Sequence, residues 1–107
     1  MSSSSGAEGG CPRQQLEDSV VRVLDIVNTR GLHARASAKF VQTVEKYDAQ
    51  VRVTRGSETV GGTSIMGLMM LAAGPGTQIK IEACGPQAAE VMAALEQLVT
   101  SRFGEED

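Results

Sequence analysis

One histidine occurs in the chain, His33, within the run Asn28-Thr29-Arg30-Gly31-Leu32-His33-Ala34-Arg35. Strand-like sequence precedes it and helix-like sequence follows. Imidazole changes charge near neutral pH, and its ring nitrogens are nucleophiles as well as bases. At a helix start it faces unpaired backbone N–H groups and the positive end of the helix dipole. Gly31 lets the backbone turn sharply before it, and Leu32 can anchor that turn in the core. Arg35, two residues on, can add charge-assisted hydrogen bonds to phosphate oxygens. A nucleophilic nitrogen beside an anion site can accept a phosphoryl group and hold it. Taken alone, the spacing leaves this chemistry level with a bystander imidazole.

Other chemistries find less support. No Ser–His–Asp arrangement is visible, and one histidine with two distant cysteines makes a poor metal site, so neither metal nor cofactor is expected. Cys11 and Cys84 stand 73 positions apart, a spacing that reads as two unpaired thiols in a reducing cytosol.

At 107 residues the chain is one domain. Residues 1–19, with Ser2-Ser3-Ser4-Ser5-Gly6 and Gly9-Gly10, lack apolar periodicity and read as a flexible leader. Residues 20–103 form the compact part, and 104–107 are an acidic end. The net charge of −3 belongs to the two ends: Glu8, Glu17 and Asp18 outweigh Arg13, and Glu105, Glu106 and Asp107 close the chain. The compact part is net positive, with Arg30, Arg35 and Lys39 all within six residues of His33. That balance is too mild for nucleic acid, and two Phe, one Tyr and no Trp leave little to stack bases on. It suits a small anion or an acidic protein partner. No stretch is apolar for long enough to be a signal peptide or a membrane span. The expectation is a cytoplasmic monomer.

The elements that must position His33 follow from periodicity. Residues 21–27 are rich in β-branched side chains, with Leu24 and Ile26 alternating against Arg22 and Asp25, as in a strand. Asn28 to Gly31 is a turn. From Leu32 the period becomes helical, with Phe40, Val41 and Val44 on one stripe, and Tyr47-Asp48 ends the helix. Residues 50–54 and 58–60 are a hairpin about Arg55-Gly56-Ser57. Residues 63–71 hold a helix of about two turns, kept short by the cost of glycine in helices. Residues 78–83 alternate as a strand, and Pro86 opens a last helix with its stripe at Val91, Leu95 and Leu98, widened by Met92 and Val99. The order βαββαβα implies an open-faced α/β sandwich: a four-stranded antiparallel sheet with three helices on one face.

The segment Thr63-Ser64-Ile65-Met66-Gly67-Leu68-Met69-Met70-Leu71 carries the second feature. Ser64 is a helix N-cap by position. Six apolar residues within Ile65–Leu71 exceed what one buried face needs. Leu68 and Leu71 suit the core, while Ile65 and Met66 suit an exposed, adaptable docking patch.

Gly31-Leu32-His33-Ala34-Arg35 resembles the active-site motif of the histidine-containing phosphocarrier (HPr) family of the bacterial phosphotransferase system. Ser64-Ile65-Met66-Gly67-Leu68-Met69 resembles that family's regulatory serine segment. The resemblance spans residues 20–103 and leaves the leader outside. It implies that Enzyme I, phosphorylated from phosphoenolpyruvate, passes its phosphoryl group to Nδ1 of His33, and that the domain delivers it to an Enzyme IIA. Arg35 and the helix-start amides would stabilise the charge, Ser64 would be phosphorylated by an HPr kinase/phosphorylase, and Arg30, Leu32, Ile65, Met66 and Met69 would dock partners. Such a protein is a relay and not an enzyme. Ala36 stands where the family usually has proline. Two other readings of the sequence are a nitrogen-related regulatory paralogue and a ferredoxin-like module that binds a small ligand.

Overall fold

Four strands with one apolar face each assemble because that face must leave water. The computed structural model describes residues Ser19 to Gly104. Its elements are β1 (Val20–Asp25), α1 (Ala34–Glu45), β2 (Gln50–Arg55), β3 (Glu58–Gly61), α2 (Ile65–Met70), β4 (Gln78–Cys84) and α3 (Ala88–Thr100), closed by a 3-10 turn at Arg102–Gly104. The sheet order is β1-β4-β2-β3, and every neighbouring pair is antiparallel. The expected open-faced sandwich is therefore the fold.

Register decides which residues share a face. Leu24 lies opposite Ile79, Val53 opposite Ile81 and Val60, and Val51 opposite Ala83. These apolar residues lie under the helices, where Phe40 and Val44 of α1, Leu68 of α2, and Val91, Leu95 and Val99 of α3 are buried against them. The other face carries Arg52 bonded to Glu82 at 2.8 Å and Thr54 paired with Thr59 at 2.9 Å. Polar cross-strand pairs of this kind suit a solvated sheet surface.

Several details differ from the periodicity reading. β1 ends at Asp25, and Ile26 is buried beyond it, its N–H donating to the Thr77 carbonyl at 2.9 Å. Arg22 shares the parity of Leu24 and reaches Glu96 of α3 at 3.3 Å, whereas Val21 and Val23 are exposed. α1 begins at Ala34, with His33 as its N-cap, and finishes at Glu45. α3 starts two residues after Pro86, because Gln87 is held outside it: its N–H donates to the Asp48 carbonyl at 3.0 Å, and its Oε1 accepts from the Asp48 N–H at 2.7 Å. Leu98 is only partly buried, and Met92 and Val99 carry the buried stripe with Val91 and Leu95.

Cys84 corrects another expectation. It is buried and disulfide-bonded, not an unpaired thiol. Separation along the chain carries no information about distance in the fold, and a single pair of cysteines has no spacing pattern to read. Cys11 lies outside the described residues, as do residues 1–18 of the expected leader and residues 105–107 of the acidic end. Among the described residues, no helix is long and apolar enough to cross a membrane.

Candidate functional site

The turn between β1 and α1 is built by backbone bonds at consecutive residues. The Gly31 N–H donates to the Asn28 carbonyl at 3.2 Å, and the Leu32 N–H donates to the Ala73 carbonyl at 3.0 Å. The His33 N–H donates to the Gly31 carbonyl at 2.9 Å, and the His33 carbonyl accepts from the Ser37 N–H at 2.8 Å. Gly31 has φ +62°, and a Cβ there would lie 2.2 Å from the Ala73 oxygen. Only glycine satisfies both conditions. The segment that follows α2 thus braces the turn that presents His33.

His33 is extended at the N-cap (φ −78°, ψ −176°), and its side chain makes no capping bond. It is partly exposed at the mouth of a twelve-residue helix. The first amides of α1, on Ala34, Arg35 and Ala36, precede the first intrahelical bond and are donors for an anion. Arg35 is exposed in the first turn, and Arg30 is exposed just before the glycine. Neither is committed to an ion pair among the described residues. Lys39, the third nearby cation, is directed elsewhere: its Nζ donates to the Phe103 carbonyl at 2.6 Å and ties the C-terminal turn to α1. Among the described residues no cluster of His, Cys, Asp and Glu could hold a metal ion.

A family model described as "PTS HPr component phosphorylation site" matches residues 20–101. The chain belongs to the HPr family. HPr of Neisseria meningitidis serogroup B is 51% identical over 82 residues, which cover 77% of this chain and 92% of that one. HPr of Pseudomonas aeruginosa is 49% identical over 83 residues, covering 77% and 92%. Among solved structures, HPr from Thermoanaerobacter tengcongensis superposes with a TM-score of 0.78 at 40% identity, covering 82% of this chain and 99% of that one. HPr from Bacillus anthracis gives 0.72 at 36% identity, covering 76% and 96%. As a member of this family the chain is a phosphocarrier of the phosphotransferase system.

The second HPr motif has a definite geometry here. Ser64 is exposed and is the N-cap of α2, its Oγ accepting from the Gly67 N–H at 2.9 Å. A Cβ on Gly67 would sit 2.9 Å from that oxygen and 3.0 Å from Val60 Cβ, so glycine keeps the cap open. α2 spans six residues, in keeping with the expected helix of about two turns. It buries Leu68, with Leu71 buried just after it, and leaves Ile65, Met66 and Met69 exposed, Met66 to 69%. Met70 is exposed further, to 76%. Leu32 does not belong to the docking set: it is 4% exposed and packs in the core, with its amide bonded to the Ala73 carbonyl. Ala36, in the place of the family's usual proline, is buried in the first turn of α1, and the helix runs through it unbroken.

Two further residues, Asn28 in the turn and Ser37 in α1, escaped the sequence reading. Asn28 and Ser37 are fully buried polar side chains in an otherwise apolar core, and both bond to the backbone around His33. Ser37 carried a signal, since it completes the spacing 37, 40, 41, 44 of the buried helix stripe, where a hydroxyl needs an internal partner.

Proposed function

We propose that His33 is the phosphoryl acceptor of this phosphocarrier. Its Nδ1 lone pair forms the P–N bond as the bond to phosphorylated Enzyme I breaks, and the same group is later passed to an Enzyme IIA. The observation that carries the reading is an uncapped helix start: an imidazole at the N-cap of α1, three amides behind it and Arg35 in the first turn. Phosphoryl transfer depends mainly on positioning and electrostatics, so a small domain can supply its half of the site and a partner the rest. The protein then acts as a relay in the cytoplasm and not as an enzyme in its own right. Incubation with phosphoenolpyruvate and Enzyme I should add about 80 Da, the mass of one HPO₃ group, to the intact protein in acid-labile form. A mass unchanged by that treatment would reject the relay.

Arg30, Ile65, Met66 and Met69 form the proposed docking set. α2 ends at Met70, and Leu71 and Ala72 lead from it to Ala73, whose carbonyl braces the His33 turn, so a partner reaching His33 approaches beside this exposed apolar helix. Methionine suits a surface that meets several partners in succession. Ser64 is the proposed target of an HPr kinase/phosphorylase. Phosphate oxygens at the N-cap can go on accepting from the Gly67 amide, so the modification leaves the fold intact while placing negative charge on the docking surface. Ser64→Asp should raise the apparent Michaelis constant for phosphorylation by Enzyme I roughly three- to tenfold, a cost of about 1 kcal/mol, with little change in maximal rate. Initial rates against carrier concentration check this. Equal constants for wild type, Ser64→Asp and the fully serine-phosphorylated protein would leave Ser64 as a helix cap only.

A further inference from the structure

We propose that Asn28 and Ser37 are positioning residues for phosphoryl transfer, holding the backbone carbonyls beside His33 away from the incoming phosphate. The inference rests on the reading of His33 as the acceptor. Both side chains are 0% exposed, and they are the buried polar residues among the described part of the chain. A polar side chain is kept in a core only where its hydrogen bonds offset desolvation. Asn28 Nδ2 donates to the Gly31 carbonyl at 2.9 Å, and Ser37 Oγ donates to the Leu32 carbonyl at 3.2 Å. With the Ser37 N–H on the His33 carbonyl, internal donors thus reach the three successive carbonyls of Gly31, Leu32 and His33.

The consequence is electrostatic. Because these donors are buried, the carbonyl oxygens they hold point into the protein, and the helix-start amides are left to face outward. A phosphoryl group at His33 then meets N–H dipoles and the Arg35 charge, not carbonyl oxygens that would repel its own oxygens. Losing the Ser37 hydroxyl frees the Leu32 carbonyl to rotate outward, and losing the Asn28 amide leaves the Gly31 carbonyl to the His33 N–H alone; either change loosens the N-cap geometry of His33. Misplacement of well under an ångström at a reacting atom is enough to slow transfer. Neither residue touches the phosphate, so both act through the turn.

The test is steady-state phosphorylation by Enzyme I of wild type, Asn28→Ala and Ser37→Ala, with thermal melting and the rate of spontaneous phosphohistidine hydrolysis measured on the same samples. Ser37→Ala keeps a good helix former in α1 and so remains folded even if Asn28→Ala does not. The expected result is a maximal rate lower by on the order of tenfold, a Michaelis constant within twofold of wild type, and hydrolysis of the phosphohistidine faster by about threefold or more. A merely structural role predicts a lower melting temperature with unchanged maximal rate and hydrolysis, and that outcome in Ser37→Ala overturns the proposal. If wild type itself takes no phosphate, the reading of His33 fails instead. Labelled wild type with unaffected variants sinks only the positioning role.

Discussion

His33→Ala should leave a folded chain that takes up no acid-labile phosphate. Loss of the acceptor nitrogen removes the covalent step itself, so the expected effect is complete and not a fraction of the wild-type rate. The fold should tolerate the change. Removing a capping side chain ordinarily costs about 1 kcal/mol, but His33 makes no side-chain capping bond. The backbone bonds that hold residue 33, from its N–H to the Gly31 carbonyl and from the Ser37 N–H to its own carbonyl, survive in alanine. Circular dichroism should therefore still report a folded chain while labelling disappears. Acid-labile phosphate persisting in the variant would move the acceptor elsewhere in the chain.

Gly31→Ala should be the most damaging single substitution near the site. The residue holds φ +62°, and its new Cβ would be placed 2.2 Å from the Ala73 oxygen and 2.8 Å from Gly74 Cα. Both atoms are backbone and neither can swing aside, so the turn must move. We expect a loss of about 2–4 kcal/mol, of which the left-handed backbone accounts for about 1 kcal/mol and the clash for the rest. For a domain of this size that corresponds to a melting temperature lower by about 10–25 °C. Gly56→Ala is the control. Its φ of +61° is nearly the same, but nothing lies within 4 Å of its Cβ position, so it should lose only the conformational part. Equal losses in the two variants would show that the close approach of Ala73 is not rigid. Because the Leu32 amide bonds to the same Ala73 carbonyl, the displaced turn should also slow phosphorylation of whatever Gly31→Ala remains folded.

Much of this protein is local in its physics, and that part was legible in the residues. A helix stripe at Phe40, Val41 and Val44, a cap at Ser64 and a switch from period two to period 3.6 around Gly31 are set within one or two turns of chain. They place an imidazole at a helix start with Arg35 behind it, and the order of elements brings the sheet and its helical cover with them. Other features depend on which distant segment arrives alongside. Leu32 reads from the sequence both as an anchor of the turn and as a docking residue, and its burial beside the residues after α2 decides for the anchor. Lys39 counted as part of the positive surround of His33 until the last turn offered it the Phe103 carbonyl. Cys84 read as an unpaired thiol, and the fold gives it a disulfide. Asn28 and Ser37 looked like ordinary turn and helix residues, and only their burial turned them towards the backbone at His33. The division follows the range of the forces. Periodicity, capping and glycine backbone preferences act over a few residues, whereas burial and the hydrogen bonds it compels exist only when segments far apart in sequence close around a side chain.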